Sequence, residues 1–404
     1  MPRSDDDYPG LKRRKNRDGT VRLYWCARAD LVKAGFRPET VRLHYGPDEM
    51  QLVSAACRRM QAEMLTWSAD RSASRVTFDG TLRGLLNAYQ VDHASPYRDL
   101  KWNTRRTYDH VLRLIDSAFG ARNLSTLGIA DFRRWYDEAK KPAKPGASER
   151  VRRAHGIIQM LRRLFAYGVT AELPECARLM AILDSARFKQ PARRRERLEL
   201  AHVEAFLPVA IKADRLSLAL GTAIQFETGM RQRDVIGEWQ PVGEGEEAGG
   251  IVLGGRRWVN GLTWADLSAE LVVRKVTTKT GAIVAHDLKL CPLVMAMLEQ
   301  VPEDRRLGPL IVDETAGRPY AEWAYGREWR AIARKAGVPN QVWNMDARAG
   351  AVTEAEDAGA DLDEIRGAVG HAVASTTARY SRGALGKSRK VAELRAASRR
   401  PTKE

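Results

Sequence analysis

The sequence predicts a multidomain protein, mainly α with small β-sheets, and three observations carry that reading. The chain has 404 residues, too many for one ordinary domain and suited to two or three. Apolar residues recur at i, i+3, i+4 and i+7 over long stretches, as in Leu82, Leu85, Leu86 and Tyr89, or Tyr108, Val111, Leu112 and Ile115. Near the start, by contrast, short runs such as Val21 to Ala27 look like strands, set off by the turn signal Asn16-Arg17-Asp18-Gly19. A hydrophobic fraction of 44 % suffices for packed cores and argues against a disordered chain.

Charge points to a partner. The chain carries 67 Lys+Arg against 51 Asp+Glu, a net +16. Such an excess suits a polyanion, because each neutralised phosphate releases counterions. Charge kept only for solubility is the plain alternative. The cysteines (Cys26, Cys57, Cys176 and Cys291) are scattered, with no CxxC pair and no His at ligand spacing. Neither disulfides nor a metal site are expected, and a reducing cytoplasm fits. The polar, acidic opening is no signal peptide, and no apolar run is long enough for a membrane span.

In order, Leu11 to Lys15, Val21 to Ala27 and Thr40 to Tyr45 read as strands, followed by a helix from Pro47 to about Trp67. The strands bear Lys12, Arg13, Arg14 and Arg22, with Tyr24 and Trp25 interleaved. Such a sheet can enter a DNA groove or lie on phosphates, or be simply a solvated charged face. This N-terminal part is placed at residues 1–75, ending in the polar break Arg71 to Arg75.

Residues 76–186 form a helical domain. Its apolar stripes are core, while the opposite faces carry Arg105, Arg106, Arg113, Arg152, Arg153, Arg162 and Arg163, as in a clamp on duplex backbone. Residues 187–197, which include Arg193, Arg194 and Arg195, are too basic to make a core and read as a linker drawn to DNA. The rest, 198–404, is mostly helical, with strands around Trp264 to Val276 and Ala282 to Leu288. A Gly- and Glu-rich stretch near 238–262 is expected to be a surface loop.

Within this last part, several spots break the local pattern. In Thr228-Gly229-Met230-Arg231-Gln232-Arg233-Asp234 an apolar helix gives way to an arginine with an acid three residues on. That spacing lets Asp234 hold the Arg231 guanidinium, though an ordinary surface ion pair has the same spacing. Thr277-Thr278-Lys279-Thr280-Gly281 looks like a hairpin tip. Asp346-Ala347-Arg348-Ala349-Gly350 puts an arginine near a helix start, which suits an anion. Gly370-His371 is followed, nine residues after the histidine, by Tyr380. Metal-free phosphodiester transfer needs cations for the phosphate, an acid for the leaving oxygen and a nucleophile.

These motifs, in this order, resemble those of the tyrosine recombinases, or phage integrases: TGMRQRD, TTKTG, DARAG and GHAVASTTARY. The resemblance covers roughly Leu198 to Arg382. More loosely, it reaches a helical, SAM-like core-binding domain before it and an arm-type DNA-binding sheet at the start. It implies a mixed α+β catalytic domain in which Tyr380 attacks the scissile phosphate, forming a 3′-phosphotyrosyl link. By the same resemblance Arg231 and Arg348 grip the non-bridging oxygens, Lys279 protonates the leaving 5′ oxygen, His371 donates a hydrogen bond and Asp234 positions Arg231. No cofactor or ATP is implied. The implied partners are double-stranded DNA and three further copies in a tetramer on two duplexes, with accessory bending or excision factors possible, in the cytoplasm at the nucleoid.

The sequence departs from the family at Met345, which stands three residues before Arg348 where the family has histidine. Methionine donates no hydrogen bond, so a neighbour such as Asn344, or water, is expected to fill the gap. Two rivals share the resemblance: an integrase-like protein that binds DNA as an architectural factor without cutting it, and a type IB topoisomerase.

Overall fold

The computed structural model describes residues 8–380, apart from 17–18, 34–35, 47, 73–77 and 244–248. The turn at 17–18, the polar break at 71–75 in large part, and the basic tail after Tyr380 therefore lie outside the described residues.

The chain opens with β1 (Leu11–Lys15) and β2 (Val21–Cys26), then the short α1 (Ala29–Lys33), β3 (Thr40–Leu43) and the long α2 (Met50–Ser72). β1 and β2 pair antiparallel, Lys12 against Tyr24 and Arg14 against Arg22, and β3 completes a three-stranded sheet on the far side of β2. Its basic face is exposed, with Lys12, Arg13, Arg14 and Arg22 in solvent. Trp25, expected on that face, is instead only 1 % exposed, since β2 alternates and turns Leu23 and Trp25 inward.

A helical stretch follows: α3 (Leu82–Val91), α4 (Trp102–Phe119), α5 (Ile129–Lys140), α6 (Val151–Thr170) and α7 (Cys176–Ser185). Thr81 caps α3 by accepting from Gly84 N–H, and Gly128 starts α5 with Asp131 reaching back to its N–H. Leu82, Leu85, Ile115, Phe132, Ile158 and Phe165 fill one core. The guanidinium of Arg178 donates to the Leu124 and Leu127 carbonyls, tying α7 to the turn before α5.

After Arg194 come α8 (Leu200–Lys212), α9 (Leu216–Thr228) and α10 (Gln232–Ile236), then β4 (Glu238–Pro241), β5 (Val252–Leu253) and β6 (Arg256–Val259). The hairpin β7 (Val272–Val276) and β8 (Ile283–Asp287) precedes α11 (Pro292–Leu298), the small pair β9 (Val312–Asp313) and β10 (Arg318–Pro319), and α12 (Glu322–Lys335). α13 (Ala347–Asp357), α14 (Leu362–Val369) and α15 (Ala374–Tyr380) end the described chain.

Two expectations are corrected here. The stretch around 238–262 is not simply a loop: β4, β6 and β5 form an antiparallel sheet. Trp258 donates its indole N–H to the Ile236 carbonyl and Trp239 donates to Pro319, so two aromatic anchors hold a segment whose glycines hide its strand pattern. Further on, Trp264–Asp266 is a 3-10 turn rather than strand, closed by Asp266 accepting from the Thr263 N–H and hydroxyl.

The chain divides into two compact units. One takes Cys26–Glu39 and Ala55–Arg193; the other takes Leu11–Trp25, Thr40–Ser54 and the chain from Arg194 onward. In the second, α9 is the axis. Every residue from Ser217 to Phe226 is buried, and α8, α11 and α13 pack around the helix. A helix apolar on all sides can only be central. Its far end, at Gly229, delivers the chain to Arg231.

Candidate active site

The Arg231 motif begins where α9 must stop. Gly229 closes that helix in the left-handed region at φ +64°, where a side chain would be strained and a Cβ would come within 2.7 Å of Val369. The chain then reverses, so that Arg231 caps α10 and Asp234 lies in its first turn, only 1 % exposed. One Asp234 oxygen stands 3.8 Å from Arg231 Nη1, an ion pair without a hydrogen bond. The other accepts from the Thr278 N–H at 2.8 Å. Asp234 thus serves two motifs, steadying the arginine and anchoring the hairpin tip that carries Lys279.

That tip is stapled at its other end as well. Thr280 Oγ1 donates to the carbonyl of Gly370 at 3.2 Å and hydrogen-bonds Thr277 at 2.7 Å. Gly370 closes α14 at φ +65°, and a Cβ there would lie 2.9 Å from Val284 on β8. Lys279 itself is exposed at the tip.

Arg348, on the first turn of α13, is only 5 % exposed. Its Nη1 donates to Gly229 O and its Nη2 to Val369 O, each at 2.7 Å, while Nε donates to His371 Nε2 at 3.2 Å. These partners are neutral, so the cation is held rigidly without being neutralised. Burial first, then the Arg231 charge, lower its pKa to about 10, which leaves it charged at neutral pH.

His371 is 6 % exposed. Because Nε2 accepts from Arg348, the proton is assigned to Nδ1, which meets Thr377 Oγ1 at 3.0 Å. Burial, with the Arg348, Arg231 and Lys279 charges added, depresses its pKa to about 3, so the ring is neutral. Both ring nitrogens have protein partners here, so the imidazole orients Arg348; the phosphate contact implied by the family resemblance requires it to release one of them.

Tyr380 completes the group. Its ring stacks on the imidazole at 5.1 Å between centroids and 14° between planes, and the Arg348 guanidinium lies 5.7 Å from the ring centroid. Thr353 Oγ1 donates to the Tyr380 carbonyl at 3.1 Å, fastening α15 to α13. The structure therefore brings Arg231, Asp234, Arg348, His371 and Tyr380 together, with the Lys279 hairpin tied to them. Among the described residues no group of three or more His, Cys, Asp or Glu could hold a metal ion.

Several supporting residues carry no motif signal. Thr353 and Thr377 are buried hydroxyls: Thr353 reaches the Tyr380 carbonyl 27 residues on, while Thr377 meets His371 within GHAVASTTARY. Lys275 is mostly buried on the hairpin and donates to the Gly261 carbonyl at 2.6 Å, bracing β7. Met345 is 61 % exposed on a 3-10 turn, just before α13 starts at Ala347.

The structure also sorts the basic residues named from sequence. Arg194 is engaged within the protein: Nε donates to Asp346 at 2.6 Å, Nη2 donates to the Gln341 carbonyl, and the group lies over Trp343. It clamps the segment before α8 onto the turn before α13, which leaves it poorly placed as a DNA contact. Arg105 donates to the Arg98 carbonyl and Arg153 to the Ala139 carbonyl. Arg106, Arg152, Arg193 and Arg195 are exposed.

Comparison with known folds agrees with this architecture. A lambda integrase dimer bound to a COC′ core site superposes with TM-score 0.57 at 16 % identity, over 94 % of this chain and 96 % of that one. The chain has the tyrosine-recombinase fold. A lambda integrase tetramer bound to a Holliday junction matches with TM-score 0.57 at 15 % identity, over 94 % and 97 % of the two chains. The Tn1549 transposon integrase in complex with transposon right end DNA matches with TM-score 0.55 at 14 % identity, over 78 % and 99 %. No protein-family model and no curated protein matches the sequence.

Proposed function

We propose that this recombinase-fold chain is a site-specific DNA recombinase that cuts and rejoins duplex DNA through a 3′-phosphotyrosyl link on Tyr380. The observation that carries the reading is the cluster itself: an uncompensated, buried Arg348 fixed by three neutral acceptors, with Arg231, His371 and the phenol of Tyr380 around it. A buried cation without a carboxylate partner suits an anion brought from outside. A phosphate taken between Arg231 and Arg348 would have its developing negative charge stabilised by fixed donors. Tyr380 Oη gives up its proton to solvent and forms the bond to phosphorus as the bond to the 5′ oxygen breaks, and Lys279 protonates that oxygen and is reprotonated from solvent. The link conserves the phosphodiester energy, so a second 5′-hydroxyl can reverse the attack and exchange strands. A bound phosphate also offsets the cations that depress His371, so the imidazole becomes more basic when DNA is in place.

The lambda structures hold DNA as a dimer and, on a Holliday junction, as a tetramer. On that likeness we extend the reading to a homotetramer on two duplexes that integrates or excises a mobile element, acting in the cytoplasm at the nucleoid. The test is covalent trapping without metal on DNA from the ends of the protein's own element. Wild type should yield a denaturation-resistant adduct and Tyr380→Phe none. Retarded DNA without any adduct favours the non-cutting binder, for which Met345 speaks.

A further inference from the structure

The sheet of β4, β6 and β5 lies outside the catalytic cluster but is joined to it. Trp258 of β6 donates to the Ile236 carbonyl at 3.0 Å, and Ile236 ends α10, the helix that Arg231 caps. Glu238, which opens β4 and is 5 % exposed, accepts from Gln240 at 2.6 Å and from Asn260 at 3.1 Å. Its other oxygen stands 3.6 Å from Arg233 Nε, two residues past Arg231. The opposite end of the sheet is the turn between β5 and β6, where Gly254 and Gly255 are both left-handed, at φ +54° and +69°. Tyr45, two residues beyond β3, lies against Gly255: a Cβ there would come 2.7 Å from the phenol oxygen and 2.9 Å from two ring carbons. Only glycine takes such a backbone without steric cost and also leaves room for the ring. Beside them Glu49 accepts from the Gly46 N–H at 2.7 Å, which closes the corner between β3 and α2. Thr40–Ser54 and the chain from Arg194 onward belong to one compact unit, so this contact is internal to it.

The contact holds the N-terminal sheet without covering it. Lys12, Arg14 and Arg22 share one face of β1 and β2 and stay exposed while Tyr45 is seated. We propose that the β4–β6–β5 sheet is a bridge: with Tyr45 seated on Gly255, duplex DNA lying on Lys12, Arg14 and Arg22 helps to set α10 and its Arg231 against the scissile phosphate. The proposal rests on the recombinase reading above. Tyr45, Gly255 and Glu238 are positioning residues that act through Arg231 and touch no substrate. Packed side chains and hydrogen bonds between rigid elements carry the coupling.

The test measures single-turnover adduct formation by the full chain on a nicked duplex with long flanks, as a function of DNA concentration. Tyr45→Ala should lower the rate at saturation about fivefold and shift the half-saturating concentration less than about twofold. Gly255→Ala, an independent route to the same loss, should match it, and the double variant should be no slower than either. Tyr45→Phe keeps the ring and should restore the wild-type rate. Arg14→Ala, an exposed substitution, separates positioning from folding. In wild type it should both raise the half-saturating concentration and lower the saturated rate; with Tyr45→Ala or Gly255→Ala already present, only the first effect should remain. A Tyr45→Ala rate within about twofold of wild type, or a saturated-rate effect of Arg14→Ala that is the same in both backgrounds, overturns the bridge and leaves the recombinase reading standing. A faster Tyr45→Ala overturns it in favour of an inhibitory clasp. No adduct from wild type overturns the recombinase reading and the bridge together.

Discussion

At the scale of single residues, the site depends on held charge. Arg348 makes three hydrogen bonds in one plane, a geometry that lysine cannot copy with a single ammonium. Arg348→Lys should lower single-turnover adduct formation by about 10²–10³, measured at fixed DNA saturation. Met345, exposed and unable to donate, should behave otherwise: Met345→Ala is expected to stay near the wild-type rate in the same assay. His371 gives a pH signature. Its folded pKa, about 3, lies below the unfolded value of about 6.5, so between those values the unfolded chain binds a proton that the native ring refuses. Its contribution to stability is complete above pH 6.5 and is lost as pH falls toward 3. Chemical denaturation of wild type and His371→Gln across pH 4–7 should show the wild-type advantage shrinking as pH falls. Arg231 and Arg348, but not the carbonyl anchors of Arg348, could be named from sequence, because TGMRQRD and DARAG announce the side chains while Gly229 O and Val369 O are backbone groups reached only by folding.

The elements carry the next set of constraints. Gly350, on α13, packs so tightly on the incoming chain that a Cβ would lie 1.9 Å from the Leu198 carbonyl oxygen. That neighbour is backbone rather than the free end of a side chain. Gly350→Ala should therefore force α13 and its Arg348 out of place, costing about 1–3 kcal/mol by denaturant melting and reducing adduct formation too. Helix periodicity located α3 and α4 well, since their apolar stripes are explicit. It did not resolve α5, whose stripe of Phe132, Trp135, Tyr136 and Ala139 lies between many charges, nor the sheet of β4, β6 and β5. In that sheet the strands are short, and their anchors Trp239 and Trp258 bond to carbonyls elsewhere in the chain.

On the scale of the whole molecule, the net charge of +16 is a field, and individual arginines divide by what already occupies them. Arg162 donates to the Leu183 carbonyl at 2.6 Å and so caps the end of α7. Arg152, on α6 as Arg162 is, is exposed. Arg152→Ala should weaken duplex binding evenly across sequences and reduce the log–log salt slope by about 1, as titrations between low and moderate salt would show. Arg162→Ala should instead lower the thermal midpoint. A salt slope unchanged by Arg152→Ala would place the DNA face of this helical unit elsewhere.

By itself, the sequence determined the mainly helical class, the excess of positive charge and the order of the Arg231, Lys279, Arg348, His371 and Tyr380 motifs. Those properties are written in residue type and local spacing, which survive without a folded chain. Tertiary structure alone decided that Asp234 joins the Lys279 hairpin to Arg231, that Arg194 is a clamp on Asp346, and that His371 turns its Nε2 to Arg348. Each of these is a contact between segments 23 to 152 residues apart. A hydrogen bond over such distances is fixed by the packing of α9, α13 and β7–β8 around one core, and no local spacing encodes that packing.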